Sequence, residues 1–167
     1  MLIRDAAEPD LGALLAIHNT NIAESTAIWD TGEVDLDDRR AWFSTRTTAG
    51  MPILVAEIDG ELAGYASYGP WRPKSGYRFT VENSVYVDKR FQRRGVATAL
   101  LTELVSRAAG SHRVHAMIAA IESGNSASIT LHERFGFRTV GELPEVGHKF
   151  GHWMDLTLMQ RNFPFEP

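Results

Sequence analysis

Residues 91–105 read FQRRGVATALLTELV, and they follow directly on the run TVENSVYV at 80–87. The spacing predicts a helix from Arg94 onward. Ala97, Leu100, Leu101, Leu104, Val105 and Ala108 fall on one apolar stripe. The run before it is apolar and β-branched apart from Glu82, Asn83 and Ser84, which reads as a strand. A strand, a glycine-containing turn and a helix mouth together expose backbone N–H groups to an anion, and the helix dipole adds positive potential there. Gln92, Arg93, Arg94 and Gly95 supply donors, charge and close backbone approach for phosphate oxygens. One glycine is too few for the dinucleotide fingerprint, and no Gly-Lys-Ser/Thr follows to make a P-loop. A solvated basic helix start, with a glycine for tight packing, is the other reading of the same residues.

Working outward, the elements alternate in type. MLIRDA at 1–6 reads as a strand, and Pro9 suits the first turn of a helix carrying Leu11, Leu14, Leu15, His18 and Ile22 at helical spacing. A second helix is expected to start at Asp35, with Asp38 adding negative charge to its positive end. PILVAEIDGELAGYASY at 52–68 predicts two strands joined by a turn at Asp59 and Gly60. RVHAMIAAI at 113–121 reads as a buried strand, NSASITLHERF at 125–135 as a short helix ended by Gly136, and HWMDLTLMQ at 152–160 as a last strand whose Met and aromatic residues alternate into the core. The pattern is α/β, with a central sheet and packed helices, and residues 1–167 are expected to form a single domain.

Composition narrows the chemistry. The chain has 167 residues, a formal net charge of −4 and no cysteine. Disulfides, thiolate metal sites and a cysteine intermediate are therefore excluded. The charge offers no general drive toward nucleic acid or membrane, so an anion site must be a local basic cluster. The start MLIRDAAEPD turns acidic before any long apolar run, unlike a signal peptide, and no apolar run approaches a membrane span. A cytoplasmic protein is expected.

Several residues bear on chemistry. Glu82 interrupts an apolar strand; held in a cleft, such a carboxylate can take a proton, although an edge-strand glutamate facing solvent is the plain alternative. WRPK at 71–74 and YRF at 77–79 gather Arg72, Lys74 and Arg78 among aromatics just before that strand. Guanidinium forks of this kind suit a carboxylate or phosphinate, though a charged surface loop has the same composition. His112 with His115, and His148 with His152, lie in or beside strand-like segments without a carboxylate cluster, so no metal is expected.

QRRGVA at 92–97 resembles the acyl-CoA pyrophosphate motif Gln/Arg-x-x-Gly-x-Gly/Ala of the GCN5-related N-acetyltransferase (GNAT) superfamily, with Ala97 in the last place. YGPWRPKSGYRFTVENSVYV, IESGNSASITLHERFGF and VGHKFGHWMDLTLMQ are similar, in order and spacing, to its phosphinothricin and methionine sulfoximine acetyltransferase branch. The resemblance covers most of the chain from Gly69 onward. It implies the GNAT fold: a mixed, mostly antiparallel sheet splayed at the cofactor strand, with helices on both faces. Acetyl-CoA is implied as co-substrate, held by Val85, Tyr86, Val87, Gln92, Arg93, Arg94, Gly95, Val96, Ala97, Thr98, Asn125 and Ser128. The acceptor is implied to be a small amino-acid analogue bound by Arg72, Pro73, Lys74, Glu82, Asn83, Ser84 and Lys149, with Lys149 offered across a homodimer interface. Glu82 is implied as base and His132 as a catalytic histidine, acid, base or structural. Trp29 is a candidate apolar lid over the pocket or a core residue. Two alternatives remain: the same fold acting on another amine (a protein N-terminus, polyamine or aminoglycoside), or a non-catalytic CoA-binding sensor.

Overall fold

The computed structural model describes residues 1–164. Seven strands are hydrogen-bonded in the order β1-β2-β3-β4-β5-β7-β6. β4–β5 is parallel, while β1–β2, β2–β3, β5–β7 and β6–β7 are antiparallel. This is the mixed, mostly antiparallel sheet expected. Residues gather into two compact units, Met1–Tyr68 with Ser84–Leu104, and Gly69–Asn83 with the chain from Val105.

The first unit opens with β1 (Leu2–Asp5), then α1 (Leu11–Glu24), α2 (Leu36–Thr48), β2 (Ile53–Ile58) and β3 (Glu61–Pro70, here to Tyr68). Pro9 lies in a short 3-10 turn that leads into α1. Arg4 ties β1 to that turn with two bonds to the Asp10 carboxylate, at 2.7 and 2.9 Å, and holds that carboxyl below its usual pKa. Asp35 caps α2 as its residue type predicts, its side chain accepting the Asp38 N–H at 2.9 Å. Asp59 and Gly60 both take positive φ, 54° and 83°, which matches the two-residue hairpin read from sequence. Leu11, Leu14, Ile17, Val55 and Tyr65 form the buried core, with Trp42, Phe43, Leu62 and Tyr86 packed against it.

Ser84–Leu104 also belongs here. β4 spans Thr80–Val87 and contributes its second half. α3 spans Val96–Gly110, so it starts two residues later than the spacing alone predicts. The reason is local: Arg93 and Gly95 sit at φ 60° and 80°, left-handed conformations that a helix cannot include. Leu100, Leu101 and Leu104 are buried as the stripe requires, and so are Val105 and Ala108, which belong to the second unit.

The second unit holds the first half of β4, then β5 (Ala116–Glu122), α4 (Ser126–Arg134), β6 (Arg138–Lys149) and β7 (His152–Asn162). β4 meets β5 at Thr80↔Ala116, Val81↔Met117 and Glu82↔Ile118, and the ladder ends there although β5 runs on, paired with β7, to Glu122. A parallel pair that stops partway along both strands is the splay expected at the cofactor strand. Gly136 ends α4 at φ 78°. One strand lies outside the sequence reading, and one residue departs from it. β6 carries no signal in the sequence pattern, because Gly141, Pro144 and Gly147 interrupt it and its register shifts at Thr139/Gly141 and Leu143/Gly147. Trp153 is 66% exposed and not a core residue, whereas Met154, Thr157 and Met159 on the same strand are buried.

Candidate active site

In the first unit, the backbone of β4 is held from one side by aromatic rings. Tyr86 packs against Tyr65 at 5.2 Å between centroids and meets His18 edge-on at 6.3 Å. Gly64 permits a close approach: a Cβ there would lie 2.6 Å from the Tyr86 carbonyl oxygen and 3.2 Å from the Val87 Cα. Beneath these rings His18 Nδ1 meets the Tyr65 hydroxyl at 2.9 Å, with the Arg39 guanidinium 3.4 Å from the same nitrogen. Burial first, and Arg39 second, push His18 down to about 4.

After Val87 the chain turns on fixed ion pairs. The Asp88 N–H donates to the Ala63 carbonyl at 2.9 Å, and the Asp88 carboxylate accepts from the Arg90 N–H at 2.8 Å. The Arg90 side chain binds Asp88 at 2.9 Å and Glu61 at 2.7 Å, and Lys89 binds Glu24 at 2.8 Å. Lys89 and Arg90 are thus neutralised within the fold. Gln92, Arg93, Arg94 and Gly95, the residues expected to face a pyrophosphate, are all exposed. The first helical bond of α3 runs from the Ala99 N–H to the Gly95 carbonyl at 3.0 Å. The amides of Val96, Ala97 and Thr98 therefore precede the helical ladder and point out of its end. A cavity of about 260 Å³ lies between α1 and this turn, lined among others by Ile17, Thr20, Asn21, Val87 and Gln92. Two of those, Val87 and Gln92, are expected cofactor residues; the α1 wall is not legible from sequence. Trp29 is half-buried, its indole N–H bonded to the Thr26 carbonyl at 2.9 Å.

In the second unit, Arg72, Pro73 and Lys74 are exposed. Arg72 lies over the Trp71 ring at 5.0 Å and Arg78 over Phe79 at 4.4 Å, so the guanidinium planes rest on aromatic faces rather than on carboxylates. The segment runs straight into β4. Glu82 sits half-buried on the last rung of the β4–β5 ladder, and Asn83, one residue past it, is only 7% exposed. Ser84 follows half-buried at the start of the strand's other half.

Asn125, Ser128, His132 and Asn83 form one connected group. The Asn125 side chain caps α4 by accepting the Ser128 N–H at 3.1 Å. The Ser128 carbonyl lies 2.8 Å from His132 Nδ1, and Asn83 Nδ2 lies 3.0 Å from His132 Nε2. Burial lowers the His132 pKa, opposed by the bond to Ser128. Nothing in the sequence pairs Asn83 with His132, which stand 49 residues apart. Lys149 sits at the end of β6, buried at 4%, its ammonium 4.8 Å from the centroid of the Phe150 ring. Among the described residues no group of three or more His, Asp and Glu stands close enough to hold a metal ion.

Chemically the parts are a half-buried carboxylate at the last rung of the β4–β5 ladder, a helix mouth whose first amides precede the helical ladder and which carries two exposed arginines, and a cationic segment leading to the carboxylate. The sequence profile of the Acetyltransferase (GNAT) family matches residues 14–137. An L-methionine sulfoximine/L-methionine sulfone acetyltransferase of Pseudomonas aeruginosa is 53% identical over 161 residues, covering 96% of this chain and 93% of its own. The crystal structure of a ribosomal-protein-alanine N-acetyltransferase from Brucella melitensis superposes with a TM-score of 0.95 at 48% identity, over 98% of this chain and all of that one. A phosphinothricin acetyltransferase from Sinorhizobium meliloti, in complex with acetyl-CoA, superposes with a TM-score of 0.94 at 33% identity, over 97% of this chain and 88% of that one. Profile, sequence and fold agree: this chain belongs to the acetyltransferase (GNAT) family.

Proposed function

We propose that this protein transfers acetyl from acetyl-CoA to the α-amine of a small amino-acid analogue whose side chain ends in a tetrahedral polar group, such as methionine sulfoximine, methionine sulfone or phosphinothricin. The observation that carries this reading is the exposed cationic run Arg72–Lys74, joined by Arg78, which leads directly to the half-buried Glu82. A carboxylate and a sulfonyl, sulfoximine or phosphinate oxygen are what guanidinium and ammonium groups bind well. The relatives named above as acting on methionine sulfoximine, methionine sulfone and phosphinothricin support the same acceptor class.

In this reading Glu82 takes a proton from the substrate ammonium, directly or through water. The freed amine nitrogen attacks the thioester carbon, forming the C–N bond. Backbone N–H groups of Val85–Val87 stabilise the developing oxyanion. The C–S bond then breaks and CoA leaves as thiolate, which takes up, through water, the second proton that the attacking nitrogen gives up as it becomes the amide. The chain has no cysteine to carry an acetyl group, so attack is direct within a ternary complex. Gln92 to Thr98 hold the pyrophosphate on arginine charge and helix-mouth amides. A supply of acetyl-CoA places the reaction in the cytoplasm; no helix of the described residues is long and apolar enough to cross a membrane.

The test is thiol release from acetyl-CoA with methionine sulfoximine, methionine sulfone, phosphinothricin, methionine, a polyamine and a peptide beginning with alanine. The expected result is turnover confined to the tetrahedral-headed acceptors, with Arg72→Ala raising the acceptor KM about tenfold or more and leaving the acetyl-CoA KM unchanged. The alanine peptide represents a second reading, favoured by the ribosomal-protein-alanine N-acetyltransferase that shares the fold at 48% identity. Turnover of that peptide alone would establish it instead.

The assembly belongs to the same proposal. β6 closes the sheet order, and with its hairpin it exposes Val140, Leu143, Val146, Phe150 and Trp153. A long edge strand with exposed apolar side chains is a template for pairing. A second copy of this chain is its occupant, giving a homodimer in which the hairpin end bearing Lys149 lies at the interface.

A further inference from the structure

The resemblance implies a catalytic role for His132, yet its two ring nitrogens are both committed. A backbone carbonyl can only accept, so the Ser128 oxygen 2.8 Å from Nδ1 places the ring proton there. The Ser128 hydroxyl, 3.5 Å from the same nitrogen, lies at the limit of a bond. A neutral imidazole protonated on Nδ1 carries a lone pair on Nε2. The group 3.0 Å from Nε2 is the Asn83 carboxamide nitrogen, which can only donate. The two contacts are mutually consistent for a neutral ring and for no other form: a proton on Nε2 would face the Asn83 NH2. The ring is 4% exposed and meets Phe137 edge-on at 5.0 Å, so no water shell is at hand to stabilise a cation.

What the ring holds is equally specific. Asn83 is the first residue of β4 beyond the last rung, Glu82↔Ile118. The bond from Asn83 to His132 therefore ties β4 to α4 at the point where the parallel ladder stops. Through Ser128 the same ring is tied to the first turn of α4, capped by Asn125. On a strand, neighbouring side chains point to opposite faces, so fixing Asn83 on one face aims Glu82 on the other.

The geometry points to His132 as a positioning residue: a neutral strut that holds Asn83, and so the end of the β4–β5 ladder and the aim of Glu82, and that transfers no proton. This rests on the acetyl-transfer reading, with Glu82 as base, and assigns the histidine a different task within it.

Two variants and one signal test it. His132→Gln keeps an amide oxygen for Asn83 but can carry no proton at this pH; His132→Leu removes the acceptor. With acetyl-CoA and the best acceptor of the panel, the Gln variant should keep kcat within about threefold and an unchanged pH profile, whereas Leu should lower kcat about tenfold or more. Loss of a proton donor would instead cost the Gln variant about a hundredfold or more, together with the alkaline limb of the profile, and would overturn the proposal. Ring 15N signals of the wild-type chain read the strut without any acceptor. A ring that stays neutral and Nδ1-protonated below the pH at which a free imidazole titrates supports it, and a ring titrating near neutrality or protonated on Nε2 sinks it. If Leu does not fold, the Gln comparison and the ring signals decide. If no acceptor turns over, the functional reading fails while the ring signals still judge the strut.

Discussion

At the scale of single residues, the site depends on groups whose neighbours leave little freedom. Glu82 is the base of the proposed reaction, half-buried where the β4–β5 ladder ends. Glu82→Gln keeps the shape and removes the proton acceptor, so kcat/KM at neutral pH should fall about 10²–10⁴-fold while acetyl-CoA binds as before. Unchanged turnover would move the base elsewhere. Gly64 is a different kind of constraint. A methyl at that position would meet the Tyr86 carbonyl at 2.6 Å, backbone against backbone, with no flexible end to yield. Gly64→Ala is expected to cost about 1–3 kcal/mol in urea unfolding and to weaken acetyl-CoA binding by shifting Tyr86 and Val87. A variant with the native midpoint and the native Kd would show that β4 can move without consequence. Neither outcome is readable from the sequence at this glycine, because the clash is with a strand twenty-odd residues away.

At the scale of elements, those built from local signals were legible. The Asp59-Gly60 hairpin, the Asp35 cap and the buried stripe of α3 each follow from residues within a turn or two of one another. The start of α3 shows where such reasoning stops: the apolar stripe cannot say that Arg93 and Gly95 turn left-handed first. β6 was illegible for a stronger reason. It is mostly exposed, carries Pro144 and two register shifts, and is a strand only because β7 lies beside it. That edge is also where the proposed dimer forms. Replacing Val146, exposed at the edge, by Glu should shift sedimentation toward the monomer at micromolar concentration, since a charge at an apolar pairing edge opposes association. If wild type and variant sediment alike as dimers, the interface lies on another surface.

At the scale of the whole molecule, buried histidines set the response to acid. Burial lowers His18 to about 4 and lowers His132 as well, whereas the unfolded chain titrates near 6.5. Above about 6.5 both states are neutral and neither residue makes stability depend on pH. As pH falls from about 6.5 toward about 4, the unfolded chain binds a proton that the folded His18 refuses, so stability drops by up to about 1.4 kcal/mol per pH unit, and His132 adds a loss of the same sign. Asp10 and Asp88, held low by Arg4 and Arg90, give up their contribution only below the ordinary carboxylate range. The urea midpoint should therefore be level from about pH 9 to 7 and decline between about pH 6.5 and 5, before the carboxylates titrate. A midpoint level down to about pH 5 would mean that these two rings are protonated in the fold.

The sequence by itself determined the α/β class, the basic glycine-containing turn before α3, the basic run beside Glu82 and the family resemblance. Each of these rests on residue types and spacings within a short window, where propensity, capping and charge act directly. Only the tertiary structure decided that Lys149 is buried, that Trp153 is exposed, that the β4–β5 ladder ends at Glu82, and that Asn83 donates to His132. Asn83 and His132 are 49 residues apart in the chain. No local preference acts over that distance; they meet because β5 pairs with β4 and the chain after it returns as α4, and the protonation of the ring follows from that meeting.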